Sequence, residues 1–210
     1  MKILAISDQE VPALYSPLIL ERFREIDLVV SCGDLSYSYL DYIHSMLNCR
    51  LCYVRGNHCR DEQSETGSIS GPAGGIDLHR QMYREPESGL LLAGVQGSLS
   101  YNRGHNQYTQ ADMWWMVWGM VPALLVNKMR FGRFVDIFVS HSPPWKIHDK
   151  DDLPHRGIKA FRWLIKAFQP AYHLHGHIHV YRQDEVTETQ VGPTQVINAY
   201  GFRLIDYHKI

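Results

Sequence analysis

A chain of 210 residues with 45% hydrophobic content can bury a full core, and a single domain over residues 1–210 is expected. A net charge of −1 and a pI near 6.9 exclude bulk attraction to nucleic acid or to an anionic surface, so an anionic substrate must be drawn by a local charge, such as a bound cation. Twelve histidines are the outlier in the composition, while four cysteines and an N-terminus running straight into a strand fit a reduced, cytoplasmic compartment without a signal peptide.

Lys2 to Ser7 is an apolar strand ending at Asp8-Gln9-Glu10, and Ser16-Pro17 reads as the start of a helix reaching about Glu25. Leu28 to Val30 forms the next strand, after which Gly33 allows a tight turn that presents Asp34. Leu40, Ile43, Met46 and Leu47 recur at helical spacing before a strand, Leu51 to Val54, arrives at Gly56-Asn57-His58. This βαβαβ order implies parallel strands whose carboxyl-end loops share one edge. Cys49, Cys52 and Cys59 are too few for a four-ligand zinc site, and alternation sends Cys49 and Cys52 to opposite faces.

Cys59 to Glu87 is polar and rich in Gly and Ser, a candidate substrate wall in which His79 is either a surface residue or a substrate contact. Leu90 to Val95 is a buried strand, followed by a polar loop, Ser98 to Tyr108, that carries Arg103 and His105. Thr109 caps a helix to about Met129, with interruptions expected at Gly119 and Pro122. Its 14 uncharged residues from Met113 to Val126 are too few to span a bilayer, which takes about 20. This Trp-rich helix, 109–129, is read as a core helix, with a homodimer face or a membrane-surface contact as alternatives.

Phe134 to Val139 ends at His141, and Ser142-Pro143-Pro144 then keeps the chain extended. A helix from Ile158 to Phe168 puts Phe161, Leu164, Ile165 and Phe168 on one face. Ala171 to Leu174 leads into Gly176-His177-Ile178-His179. Three further strands, at 180–188, 194–199 and 202–207, are expected to form an antiparallel set.

Two divalent cations about 3.5 to 4 Å apart need carboxylate, amide and imidazole ligands, one of them bridging, with positions left for water and phosphate. The clusters ending these strands supply that set, and alternation on an extended segment lets His177 and His179 enter one pocket. On these residues the chain resembles the calcineurin-like metallophosphoesterases, whose pattern is D-x-H, G-D, G-N-H, a His after a strand, and G-H-x-H. Asp8, Gly33-Asp34, Gly56-Asn57-His58, His141 and Gly176-His177-Ile178-His179 match it in order.

The resemblance implies an α/β fold in which two mixed sheets form a sandwich flanked by helices (αββα), with the site at strand ends. It implies two divalent metal ions, the first on Asp8 and His179, the second on Asn57, His141 and His177, with Asp34 bridging. His58 would not ligate but would stabilise the transition state or protonate the leaving oxygen. Apart from the resemblance, the positions of Arg103 and His105 on their loop make them candidates for the leaving side, with His79 a candidate substrate contact. The implied reaction is hydrolysis of a small phosphoester, a diester by preference, attacked in line by a hydroxide shared between the metals. The loop His155-Arg156-Gly157 and the tail Thr194 to Ile205 are further similar to the small metallophosphodiesterase branch. Long nucleic acid is not an expected partner, because no basic run is present.

Glu10 stands where the family usually has His, and Cys59 where Asp is common. Glu10 either binds metal, its added negative charge favouring Mn²⁺ or Mg²⁺, or points away and leaves the first site weak. In the second case the chain would be a catalytically weakened metal-binding module with a regulatory or scaffold role. Mn²⁺ is the expected ion, with Fe, Mg²⁺, Zn²⁺ and Ni²⁺ as alternatives. Cys59 is either a spectator or a soft neighbour that exposes the site to oxidation.

Overall fold

Strand β1 (Lys2–Ser7) shows how the layers arise. Ile3 and Ala5 face one side, Leu4 and Ile6 the other, and all four are fully buried. Two dry faces need cover on both sides, and the chain supplies helices on one and a second sheet on the other. The computed structural model describes residues 1–59, 62–64, 67–182 and 184–208, with backbone alone at 62–64 and 67–69.

After β1 come α1 (Ile19–Phe23), β2 (Leu28–Ser31), α2 (Tyr37–Leu47) and β3 (Arg50–Tyr53), with the three strands parallel. A hairpin, β4 (Glu62–Ser64) and β5 (Gly67–Ile69), precedes β6 (Ile76–Asp77), which extends the sheet beside β3. Next follow β7 (Met82–Arg84), β8 (Leu91–Val95) and a short pair, β9 (Ser98–Leu99) and β10 (Gln107–Tyr108). Helix α3 (Gln110–Phe131), β11 (Ile137–Ser140), α4 (Lys159–Phe168) and β12 (Tyr172–His175) complete a second parallel unit with β8. The tail is β13 (Glu188–Val191), β14 (Thr194–Asn198) and β15 (Gly201–Asp206). One sheet runs β15-β1-β2-β3-β6, the other β13-β14-β12-β11-β8-β7.

Three apolar clusters fill the gaps between four layers. Ile3, Val30, Cys52, Val139, Leu174 and Ile197 lie between the sheets. Leu4, Val29 and Leu51 pack on Phe23, Leu40 and Ile43 of α1 and α2, while Phe138 and Val95 pack on Met113, Val117, Phe161 and Leu164 of α3 and α4. The expected αββα sandwich of mixed sheets is thus present, and Cys49 packs on the helix side of its sheet, away from Cys52.

Four elements differ from expectation. Helix α1 is only 5 residues, because the Ser16 hydroxyl donates to Ala13 O and is not spent on a cap. Helix α3, capped by a Thr109/Asp112 box, runs unbroken past Gly119 and Pro122. Pro122 is exposed, so water can meet the carbonyl its missing N–H leaves unpaired. The polar stretch 59–87 contains four short strands, and its positions 60, 61, 65 and 66 lie outside the described residues. The tail strands are not one set: β13 and β14 pair antiparallel, β14 runs parallel to β12, and β15 crosses to β1. The expected strand over 180–188 begins only at Glu188, and position 183 lies outside the described residues. No described helix is long and apolar enough to cross a membrane.

Buried Asp136 pins the start of β11 to that of β8: Leu91 N–H donates to its Oδ2 at 2.8 Å, and Arg133 Nε to its Oδ1 at 2.7 Å. Asp136→Ala strands both donors and is expected to cost about 3 kcal/mol. Thermal unfolding should then shift down by roughly 6 to 12 °C, at about 2 to 4 °C per kcal/mol for a domain of this size.

Candidate metal centre

Every parallel strand leaves its sheet at the same edge. Asp8 follows β1, Asp34 follows β2, Asn57 follows β3, His141 follows β11 and His177 follows β12, so the site spans the seam between the two sheets. His141 is the hub. Its Nε2 lies 3.1 Å from Asn57 Oδ1, 3.1 Å from Asp34 Oδ2 and 3.2 Å from His177 Nδ1.

The outer ring nitrogens fix what the inner ones offer. His141 Nδ1 lies 2.8 Å from Cys32 O, and His177 Nε2 lies 2.8 Å from Pro154 O. A carbonyl can only accept, so each outer nitrogen carries the proton and a neutral ring turns its lone pair inward. Ligand atoms of Asp34, His141 and His177 all fall within 4.8 Å of one another, with the Asn57 oxygen beside them. Such a collection of electron pairs requires a cation, and mixed oxygen and imidazole donors suit a divalent transition ion. A second pair flanks the hub: His179 Nε2 is 3.8 Å from Asp8 Oδ1, and its Nδ1 is 2.9 Å from the Tyr181 hydroxyl. Asp8 Oδ2 is fixed by the backbone N–H of His177 at 2.8 Å.

Backbone strain accompanies this convergence. Asp8, Asp34 and His177 have φ of 62°, 56° and 67°, a region that costs an L residue about 1 to 2 kcal/mol each. Two glycines make room for the carboxylates. A Cβ on Gly56 would sit 2.0 Å from Asp34 Oδ1, and one on Gly176 would sit 2.4 Å from Asp8 Oδ2. Cys59 Sγ accepts the N–H groups of Asp34 and Gly56 at 3.2 and 3.3 Å, bracing the turn. Burial, with Asp34 nearby, pushes its thiol up to about 11, so it is a protonated prop and not a reactive thiolate.

Charge follows the same geometry. Burial lowers the His141 pKa, but the Asp34 carboxylate outweighs burial, with Asp8 behind it, and raises it to about 9. Burial opposes ionisation of Asp34 as well, yet His141 holds that carboxyl well below its usual range. Burial and the neighbouring His141 push His177 down to about 3. Without metal, a single proton on His141 thus does the work of the cation.

Not every expected site residue joins the cluster. Glu10 is exposed and its carboxylate accepts a hydrogen bond from the Ser36 hydroxyl. His58 is exposed, while its backbone N–H donates to Asp34 Oδ1 at 2.8 Å. Arg103 and His105 are exposed on the loop whose Asn106 Nδ2 holds Gly56 O at 2.9 Å. His79 is half-buried, stacked on Tyr108 and accepting the Gln96 N–H at 3.2 Å. Sequence reasoning did not reach the carbonyls of Cys32 and Pro154, nor Tyr101, whose hydroxyl accepts from Asn57 Nδ2 at 3.3 Å. Any residue has a carbonyl, so only the fold could identify those partners.

A cation entering this cluster must displace the His141 proton. Affinity for a divalent ion is therefore expected to rise about tenfold per pH unit up to about 9 and then level off, with about one proton released per ion at pH 7. Calorimetric titration of chelator-stripped protein with Mn²⁺, in two buffers of different ionisation heat, measures that release. His141→Asn should abolish it.

A family model described as calcineurin-like phosphoesterase matches residues 1–181. No curated protein matches the chain. Among solved structures, TT1561 of Thermus thermophilus is similar with a TM-score of 0.60 at 16% identity, covering 95% of this chain and 89% of that one. The phosphopantetheinyl hydrolase PptH of Mycobacterium tuberculosis is similar with a TM-score of 0.50 at 11% identity, covering 95% and 88%. At such identities the likeness speaks for the fold alone. The family match spans most of the chain and takes in every strand end described above, and it makes this protein a member of the calcineurin-like phosphoesterase family, a metal-dependent hydrolase of phosphoric esters.

Proposed function

We propose that this hydrolase cleaves a small phosphodiester and that it holds two divalent cations, with Mn²⁺ the expected ion. The observation that carries the reading is the meeting of Asp34, Asn57, His141 and His177 around one point, with Asp8 and His179 beside it. In this reading Asn57, His141 and His177 hold one ion, Asp8 and His179 the other, and Asp34 is shared. Bound there, such ions supply Lewis acidity to phosphoryl oxygens and to water.

The protein's own residues do the rest. Cys32 and Pro154 keep the imidazole lone pairs aimed inward, and the missing side chain at Gly56 leaves the space that the Asp34 carboxylate occupies. His58, exposed on the turn that fixes Asp34, is assigned the leaving oxygen, to which it donates a proton. Arg103 and His105, exposed on the loop tied to Gly56, are assigned to the substrate's outer groups. Aromatic rings support a diester, which has two organic arms and one negative charge. Tyr101 adjoins Asn57 on one side, and Tyr181 and Tyr200 lie 5.8 and 5.0 Å from the His179 ring on the other. Four free cysteines favour a cytoplasmic site of action.

A second reading has one specific observation behind it. Glu10 turns to Ser36, which favours a first site weaker than the second, and with it a metal-binding module of low turnover. Metal content separates the two. Two equivalents of Mn²⁺ and stimulated cleavage of bis-p-nitrophenyl phosphate are expected, with a loss of at least about a thousandfold in Asp34→Asn. One tight equivalent and no hydrolysis of any ester would favour the module.

A further inference from the structure

The outer face of α3 asks for a cover that the fold does not provide. From Met113 to Val126 the helix carries no charge on any side, a pattern that belongs to buried helices. Its inner face, Met113, Met116, Val117, Met120 and Leu124, is buried against the sheet. Its outer face is open, with Trp115 70% and Met129 79% exposed and Trp118 and Leu125 about half exposed. Trp114 carries the patch across to α4, its ring 5.4 Å from Trp118 and 5.6 Å from Trp163.

Charge is segregated onto the same side. Helices α3 and α4 carry Lys128, Arg130, Lys159, Arg162 and Lys166 against one acid, Asp112, a net of +4 in a chain whose total is −1. On α4, Lys159, Trp163 and Lys166 are all exposed and recur at i, i+4 and i+7, so the basic groups border the aromatic ones. We propose that this face is a peripheral docking surface for an anionic lipid bilayer, with α3 lying in the plane of the interface. Indole rings, apolar in body with one polar N–H, suit the headgroup boundary, and the flanking lysines and arginines suit anionic lipid.

A second copy of this chain fits less well. A two-fold interface sets a patch against itself, and here that brings together two helix pairs that each carry a net of +4. The patch also adjoins the metal centre. Gln110, in the first turn of α3, donates from Nε2 to Gly157 O at 3.0 Å and accepts the Lys159 N–H at 3.1 Å, which ties both helix starts to the loop whose Pro154 carbonyl orients His177.

Flotation of the full chain with vesicles tests the proposal. At about 0.1 M salt, binding to vesicles of phosphatidylcholine with phosphatidylglycerol should exceed binding to phosphatidylcholine alone by at least about tenfold, and should weaken as salt is raised. The variant Trp115→Ser/Met129→Ser, changed only at exposed positions, should lose at least about tenfold, and Lys159→Gln/Lys166→Gln roughly fivefold per charge removed. Hydrolysis of a soluble diester should be unchanged in both. Failure to bind anionic vesicles, binding that neither variant weakens, or a dimer in light scattering that Trp115→Ser/Met129→Ser dissolves would each overturn the proposal. So would retention of the chain by an acidic polypeptide with none by vesicles.

Discussion

Electron pairs facing one another repel, and His141 Nε2 is where this protein gathers that repulsion. Two oxygens and an imidazole nitrogen approach it within 3.1 to 3.2 Å, and each ring keeps its proton on the far side, bonded to a backbone carbonyl. Only a positive charge at the centre relieves the arrangement. That requirement explains the pair of opposed pKa shifts, with His141 raised and Asp34 lowered, because in the absence of metal the proton shared between them supplies the positive charge at the centre.

The framework must force these groups together, and the backbone records the effort. Three of the converging residues occupy left-handed φ that costs an aspartate or histidine roughly 1 to 2 kcal/mol apiece. Sheet pairing holds against that cost. Each strained residue comes at or just after the end of a strand buried on both faces, in β1, β2 and β12, so the strain is confined to the turns while the registers behind them stay regular. Glycines at 56 and 176 serve the same end, leaving the space the carboxylates of Asp34 and Asp8 occupy.

Much of this was legible in the residues because short strands with a polar terminus leave a local signature. The parallel units and the gathering of Asp8, Asn57, His141 and His177 at one edge follow from apolar runs that stop at a potential ligand, whereas the four layers were expected from the family resemblance. What stayed hidden is non-local. The expectation that β15 would pair within the tail failed because an isolated strand pattern does not say which edge it joins, and the free edge of β1 was the better partner. Pro122 reads as a helix breaker until the fold shows its ring on the water side. The direction of Glu10 depends on a serine 26 residues away that also caps α2, a link that no motif carries.

The placement of β1 between β2 and β15 has a consequence for the nascent protein. Ile3 pairs with Ile205, so the strand that delivers Asp8 lacks its second neighbour until about 200 further residues have left the ribosome. At roughly 5 to 20 residues per second, that interval is on the order of 10 to 40 s. During it an edge carrying the apolar run Ile3-Leu4-Ala5-Ile6 stands open to any extended peptide nearby, which makes β1 a segment for a chaperone to cover while translation continues.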